Sequence, residues 1–301
     1  MVARGGIIKA IRSFLDEQGF IEVQTPLMIK APLPEASVEA FTVFQGNGRP
    51  DLYLIPSPEI NLKRLLAEGF DRIFQLGPVF RHKEEGHHHL PEFTMLEWYR
   101  TEADYHTLMS DCEAIIEITA RAVGWKGDLV TYKGQKINIS PPFPRITIKN
   151  MFEKYAGWTP GPAPDLDRFN QDMVTKIEPN LPSDRPVFLM DYPASCASLA
   201  KLKASNTEVA ERVELYVGGL EIANGFSELT DREEQEERFR KEAGRLREQG
   251  LKAYPWPGEF LLSLEKLPKC AGMALGIDRL VMLLTNASNI NQVVAFSPGK
   301  I

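Results

Sequence analysis

The 301-residue sequence has no apolar run near the roughly 20 residues that a membrane-crossing helix requires. Its N-terminus lacks the charged, apolar and small-residue succession of a secretory signal. Both absences point to a cytoplasmic protein with no membrane association. Cysteine is scarce: Cys112, Cys196 and Cys270 are odd in number and far apart. That excludes a disulfide scaffold and a cysteine-based metal site, and it suits a reducing compartment. No long basic stretch is present, and 35 Lys+Arg against 41 Asp+Glu leave a net charge of −6. A chain that grips nucleic acid usually carries a basic stripe, so this balance disfavours that role. No internal repeat is found. What remains is an ordinary globular composition, 43% hydrophobic and 25% charged, long enough to bury a sizeable core.

Residues 4–18 predict an amphipathic helix, with Ile7, Ile8, Ile11, Phe14 and Leu15 on one face and Gly19 as its stop. A short strand over 20–23 follows, ended by Thr25-Pro26. Residues 27–50 look like a loop, with one strand near residues 41–44. Ser57-Pro58-Glu59 predicts a helix start, a capping hydroxyl followed by proline at the first helical position. Two strands are expected over 72–81 and 92–99, then a helix capped by Asp104 and running to about Val123. Residues 124–185 are rich in proline and glycine, with short helical pieces. Another strand is expected at 187–190, then a hairpin at 212–224, a charged helix at 231–249, and a glycine-rich strand running into an apolar helix at 271–284. Strands follow one another without regular helical crossovers, so the fold class is α+β with an antiparallel sheet flanked by helices. The chain reads as one domain over residues 1–301.

Two segments carry chemistry. In 213–224, Gly218-Gly219 is a two-residue hairpin turn. It pairs Val217 with Leu220 and Tyr216 with Glu221. Val213, Leu215, Val217, Leu220 and Ile222 then share a core face, while Glu214, Tyr216 and Glu221 share the other. Glu214 and Glu221 become diagonal neighbours, close enough to share a divalent cation, although a solvated sheet face would look the same. In the second segment, Arg81 ends a strand and Phe93, Met95, Glu97 and Tyr99 alternate onto one face of the next. An aromatic, a carboxylate and a phenol there can floor a site for a cation, and the arginine can meet a phosphate. His87-His88-His89 invites a metal reading, yet three consecutive loop histidines rarely chelate one ion together.

Together these pieces resemble the catalytic domain of class II aminoacyl-tRNA synthetases, in the lysyl branch, over nearly the whole chain. The opening helix and the strand ending at Pro26 look like its first motif. Phe80-Arg81 through Pro91-Glu92-Phe93-Thr94-Met95-Leu96-Glu97-Trp98-Tyr99 looks like its second. Gly272-Met273-Ala274-Leu275-Gly276-Ile277-Asp278-Arg279-Leu280 looks like its third, and Asn224-Gly225-Phe226-Ser227-Glu228-Leu229 matches a further family string. The resemblance implies ATP and Mg²⁺ as cofactors. It implies that Arg81 and Arg279 are catalytic phosphate contacts and that Phe93 stacks on adenine. Lys83, Glu84, His89, Leu90, Glu221, Ile222 and Gly276 complete the implied nucleotide site, and Glu214 and Glu221 would bind the metal. Glu228 and Tyr99 would receive a substrate's terminal ammonium. Ser57, Pro58, Glu59 and Glu97 would line the amino-group end, Asn224 would meet the carboxylate, and Ala274 would lie beside them. A homodimer through the segment around Pro26 is also implied.

Within that branch the chain is similar to the elongation factor P–(R)-β-lysine ligases. The first-motif helix starts near Arg4, leaving no room in this sequence for the anticodon-binding barrel of a lysyl-tRNA synthetase. Ala274 stands where those synthetases have glycine, and a methyl group there would favour an amino group displaced by one carbon. The resemblance therefore implies adenylation of (R)-β-lysine or lysine and transfer to a lysine of elongation factor P, with no charging of tRNA. A free-standing lysine activator with another acceptor and a weakly active regulatory paralogue are the alternatives. Two positions depart from the family pattern: Lys83 replaces a glutamate and Leu90 an asparagine, both of which bear on adenine. That predicts a weakened adenine pocket unless Glu84 substitutes.

Overall fold

The computed structural model describes every residue except 36–37, 47, 50, 249, 252–253 and 298–301. Ile7, Ile11 and Leu15 recur at helical spacing and are fully buried along α1 (Val2–Glu17), while Ile8 and Phe14 pack at its margins. The strands that position the site are, in chain order, β1 (Ile21–Glu22), β2 (Arg72–Phe80), β3 (Glu92–Thr101), β4 (Arg145–Thr147), β5 (Val187–Pro193), β6 (Asn206–Val217), β7 (Leu220–Ser227) and β8 (Cys270–Gly276). They lie side by side in the order β1-β2-β3-β8-β7-β6-β5-β4, and Leu202–Lys203 pairs with β6 as a ninth, short strand. The central pairings are antiparallel, as expected; the two outermost, β1 with β2 and β4 with β5, are parallel.

Alternation divides the sheet cleanly. Leu96 and Trp98 of β3, Val213 and Leu215 of β6, and Met273 and Leu275 of β8 face a core. That core is shared with α1, α3 (Tyr105–Ala122) and an apolar helix at Ile277–Leu284. Asp104 caps α3 as its sequence predicts, accepting from the N–H groups of His106 and Thr107. On the opposite face α2 (Glu59–Ala67) packs through Leu62 and Leu66 against Ile73, Tyr99 and Cys270. Pro58 sits at the cap of α2 rather than inside it, and Ser57 Oγ accepts the Glu59 N–H at 3.0 Å. The stretch 124–185 holds more strand than its composition suggests: besides short helices it forms a hairpin, Leu129–Tyr132 with Gln135–Asn138, and β4.

The glycine hairpin forms as read, with Gly218 and Gly219 both at positive φ (58° and 78°) and Tyr216 opposite Glu221. Beyond that pair the register slips: Leu215 lies opposite Ala223, so Ile222 is an extra residue in β7. The bulge brings Asn224 opposite Glu214. Two rows of side chains then cross four strands on the open face. One runs Glu97–Ala274–Asn224–Glu214, and the next runs Tyr99–Gly272–Phe226–Arg212.

A charged helix, α4 (Arg232–Glu248), precedes the apolar α5 (Ile277–Leu284). Asp278 in its first turn is 2% exposed and accepts the Thr94 N–H at 2.7 Å through Oδ2. Arg4 donates to Asp278 Oδ1 at 2.5 Å and to Thr94 Oγ1 at 2.6 Å. One buried carboxylate therefore ties α1, β3 and α5 together, and it fixes where the next residue, Arg279, emerges.

Candidate active site

The two rows, apart from Glu214, floor a cavity of about 250 Å³. Glu97, only 2% exposed, is held on both oxygens: Tyr99 donates its hydroxyl to Oε1 at 2.6 Å, and Ser57 donates to Oε2 at 2.7 Å. Burial first, and then the Glu59 charge, push the Glu97 carboxyl up to about 7. The Tyr99 ring can lie across the floor because residue 272 is glycine. A Cβ there would sit 2.1 Å from Tyr99 Cε1, far inside van der Waals contact.

Beneath the floor lies a charge that sequence analysis missed. Lys63, 1% exposed on α2, donates to Glu59 Oε1 at 2.6 Å and pairs with Glu228 Oε2. Burial by itself would lower the Lys63 ammonium, but Glu228 and Glu59 outweigh it and hold the group charged. Its ammonium also lies 5.1 Å from the centre of the Phe226 ring. Glu228, expected to receive a ligand's ammonium directly, lies below the cavity and is paired with this internal one. Of the residues expected around a substrate, Glu59, Glu97, Tyr99, Ser57, Asn224 and Ala274 line the cavity, and Glu228 and Pro58 lie outside its lining.

Arg81, Met95, Asn224 and Ala274 line this cavity and also a second one of about 220 Å³. The second is bounded by Glu84, His89, Phe93, Glu221, Gly276 and Arg279, among others, with Leu90 and Ile222 behind. The Arg81 guanidinium lies 5.2 Å from the Phe93 ring centre and donates to the Pro56 carbonyl at 3.2 Å and to Glu84 at 3.3 Å. Arg279 donates to the Glu221 carbonyl at 2.8 Å and the His88 carbonyl at 3.2 Å, and it contacts His89 Nε2 at 2.6 Å. Burial, and for His89 next the Arg279 charge, lower both His88 and His89. The neutral rings leave Arg279 as the cation on that wall.

The three histidines do not converge: His87 Nδ1 meets Asn289, while His89 meets Arg279. Among the described residues no group of three or more His, Cys, Asp or Glu could hold a metal. Lys83, expected in the nucleotide site, stands apart from both cavities. Its side chain is 66% exposed and pairs with Glu39 at 2.7 Å, outside both cavities, because φ 66° at this residue turns the chain. Glu84 takes the inward position. Leu90 is 6% exposed and belongs to the main core.

Glu214 accepts from Tyr192 at 2.5 Å and Tyr216 at 2.9 Å on Oε2, and from Arg212 at 2.7 Å and Asn224 at 3.3 Å on Oε1. Glu221, 39% exposed, is pushed up to about 7 by desolvation and then by Glu214. A divalent cation beside the two carboxylates would relieve that repulsion, with Glu221 the open ligand and Glu214 giving up one of its four donors to join it. Arg212 was also missed, although it alternates with Glu214 on β6 and its spacing could have shown it.

Residues 1–300 match the family described as tRNA synthetases class II (D, K and N). The chain belongs to the class II tRNA synthetase family. Its relatives include proteins named elongation factor P–(R)-β-lysine ligase. The one from Pectobacterium atrosepticum is 38% identical over 308 residues, covering 99% of this chain and 94% of its own. The Vibrio cholerae protein is 38% identical over 305 residues, covering 97% and 93%. The Yersinia enterocolitica protein is 36% identical over 317 residues, covering 100% and 95%. For a class II synthetase domain, the paired cavities meeting at Arg81, Asn224 and Ala274 separate an acidic compartment from one walled by two arginines and an aromatic ring.

The acidic floor sets a pH dependence. An ordinary carboxyl near 4.5 is held at about 7 in Glu97, so the folded ligand-free protein binds this proton more tightly than the unfolded chain. Its stabilising contribution is full below about pH 4.5 and is lost as pH rises through about 7. Thermal melts of the ligand-free protein across that window should show the loss, and Glu97→Gln should make it shallower, with Glu221 supplying part of what remains. A mutant curve parallel to the wild type would mean that Glu97 does not hold the proton.

Proposed function

We propose that this chain uses ATP to activate a lysine-type amino acid, (R)-β-lysine, as its adenylate, and then transfers it to a lysine side chain of elongation factor P. The observation that carries the reading is the junction of the two cavities at Arg81, Asn224 and Ala274. It lets a ligand's ammonium rest among Glu59, Glu97 and Tyr99 while its carboxylate reaches a nucleotide. The names of the relatives support the same substrates.

In the first step a carboxylate oxygen attacks the α-phosphorus, an O–P bond forms, and pyrophosphate leaves. Arg81 and Arg279 approach the phosphates from opposite walls and stabilise the charge that builds there. Asn224 orients the carboxylate, and Phe93 offers a stacking face to the base. Glu214 and Glu221 would hold Mg²⁺, which neutralises phosphate charge when bound. No protein nucleophile is required, so catalysis is positioning plus electrostatics. Lysine-type selection follows from charge: a buried carboxylate floor rewards a ligand that brings an ammonium.

The same reading makes the protein a single catalytic domain that works in the cytoplasm, does not charge tRNA, and pairs with a second copy through the segment around Pro26. Among the described residues no helix is long and apolar enough to cross a membrane. Near Pro26, Ile21 is 55% exposed and Met28 is 51% exposed, apolar surface suited to burial between subunits.

ATP–pyrophosphate exchange across lysine isomers, followed by label transfer to elongation factor P, tests the reading. Exchange should be fastest with (R)-β-lysine. Ala274→Gly should move preference towards α-lysine by about 1–3 kcal/mol, the usual scale for one methyl in a pocket. Equal exchange with every isomer, or none, would refute it.

The adenine edge is assigned to Glu84 rather than Lys83. Glu84→Ala should raise the KM for ATP roughly tenfold, which is about 1.4 kcal/mol. Lys83→Ala should leave it nearly unchanged. The reverse outcome in steady-state kinetics would return the role to Lys83.

A further inference from the structure

Transfer to a protein amine poses a problem that adenylation does not. The incoming lysine is an ammonium at neutral pH and cannot attack until it loses a proton. The acids that line the first cavity are Glu35, Glu59 and Glu97. Glu97 already accepts hydrogen bonds on both oxygens, and Glu59 is paired with Lys63. Glu35 is different. Ser198 donates to its Oε1 at 2.7 Å, and it forms no ion pair with any described residue. It lies between two short strands, Met28–Ile29 and Thr42–Val43, of a small three-stranded sheet that precedes α2. It also lines a small adjoining cavity of about 60 Å³, with Val38, Glu39, Ala40 and Leu246. It therefore lines both cavities, with Ser198 the one side chain among the described residues that hydrogen-bonds its carboxylate.

We infer that Glu35 receives the ammonium of the acceptor lysine and acts as the general base for the transfer step. The inference rests on the function proposed above. Glu35 takes one proton from the ammonium, and the neutral amine attacks the carbonyl carbon of the adenylate. A C–N bond forms and the bond from that carbon to the phosphate oxygen breaks. The second nitrogen proton leaves with the AMP phosphate, so the charges balance without any further reactant. The charged groups facing Glu35 are Glu59 on α2, Arg81 at the end of β2 and Arg212 on β6, with Glu39 on its own loop. Burial first, and then the Glu59 charge, raise Glu35, while Ser198, Arg81 and Arg212 pull it down. The net rise makes it a stronger base than an exposed carboxylate.

The test compares the two half-reactions in the full chain. Glu35→Gln keeps an acceptor for Ser198 but cannot take a proton. Its transfer of (R)-β-lysine from pre-formed adenylate to elongation factor P should fall about a hundredfold more than its ATP–pyrophosphate exchange does. Hydroxylamine, already neutral near pH 7, should be acylated by the variant at close to the wild-type rate. Glu35→Asp should recover part of the transfer. Exchange and transfer falling together, with a raised KM for the amino acid, would make Glu35 a substrate contact and overturn the inference. Equal transfer in wild type and variant would also overturn it. If the wild-type protein shows no exchange at all, the proposed function itself fails, which is a separate result from any effect of Glu35→Gln.

Discussion

The Lys63 ammonium, buried between Glu59 and Glu228, is the interaction on which the acidic site depends. Three carboxylates without a counter-ion would meet a large desolvation penalty and strong mutual repulsion. One internal cation cancels part of that charge and leaves the rest as a standing demand for another. Glu97 expresses the demand by holding a proton up to about 7 while no ligand is present. On the function proposed above, a ligand's ammonium displaces that proton, so the charge of the cavity favours a cation. Glu228 serves this scheme from below, as a fixed partner of Lys63.

Strand register carries the rest. Because β3, β8, β7 and β6 are antiparallel neighbours, Glu97, Ala274, Asn224 and Glu214 fall in one row, although they come from distant parts of the chain. The bulge at Ile222 is what puts Asn224 opposite Glu214; without it the row would end on an apolar residue. Gly272 lets Tyr99 lie flat across the next row. Asp278 then sets the height of Arg279 by tying α5 to β3 and α1. The acidic compartment and the arginine-walled compartment thus both draw on β3, β7 and β8, and they share Arg81, Met95, Asn224 and Ala274 as their border.

Much of this was legible in the sequence. The Gly218-Gly219 turn, the alternation of Phe93, Met95, Glu97 and Tyr99, and the Asp104 cap each express a short-range rule, and each is found. The bulge was not legible, since an inserted residue leaves both flanking patterns intact. Lys63 carried a faint signal, four residues after Glu59 on a helix, but the same spacing describes many solvated pairs. Its burial is a tertiary fact. Lys83 was read into the nucleotide site from its place in a motif, and at positive φ its side chain lies at the surface beside Glu39, which motif position alone does not show. Leu90 looked like a lost polar contact, whereas it packs in the core. Glu35 sits in a proline-bearing loop with no periodicity at all.

The central claim is that the cavity selects its ligand through an unmet positive charge. Calorimetric titration of the ligand-free protein near pH 6.5 tests it most directly, comparing (R)-β-lysine with (R)-3-aminohexanoic acid, which lacks only the terminal amine. In buffers of different ionisation enthalpy, (R)-β-lysine should bind with release of a proton, and the analogue should bind at least a hundredfold more weakly, about 2.7 kcal/mol. Equal affinity for the two ligands, with no proton released by either, would contradict the account.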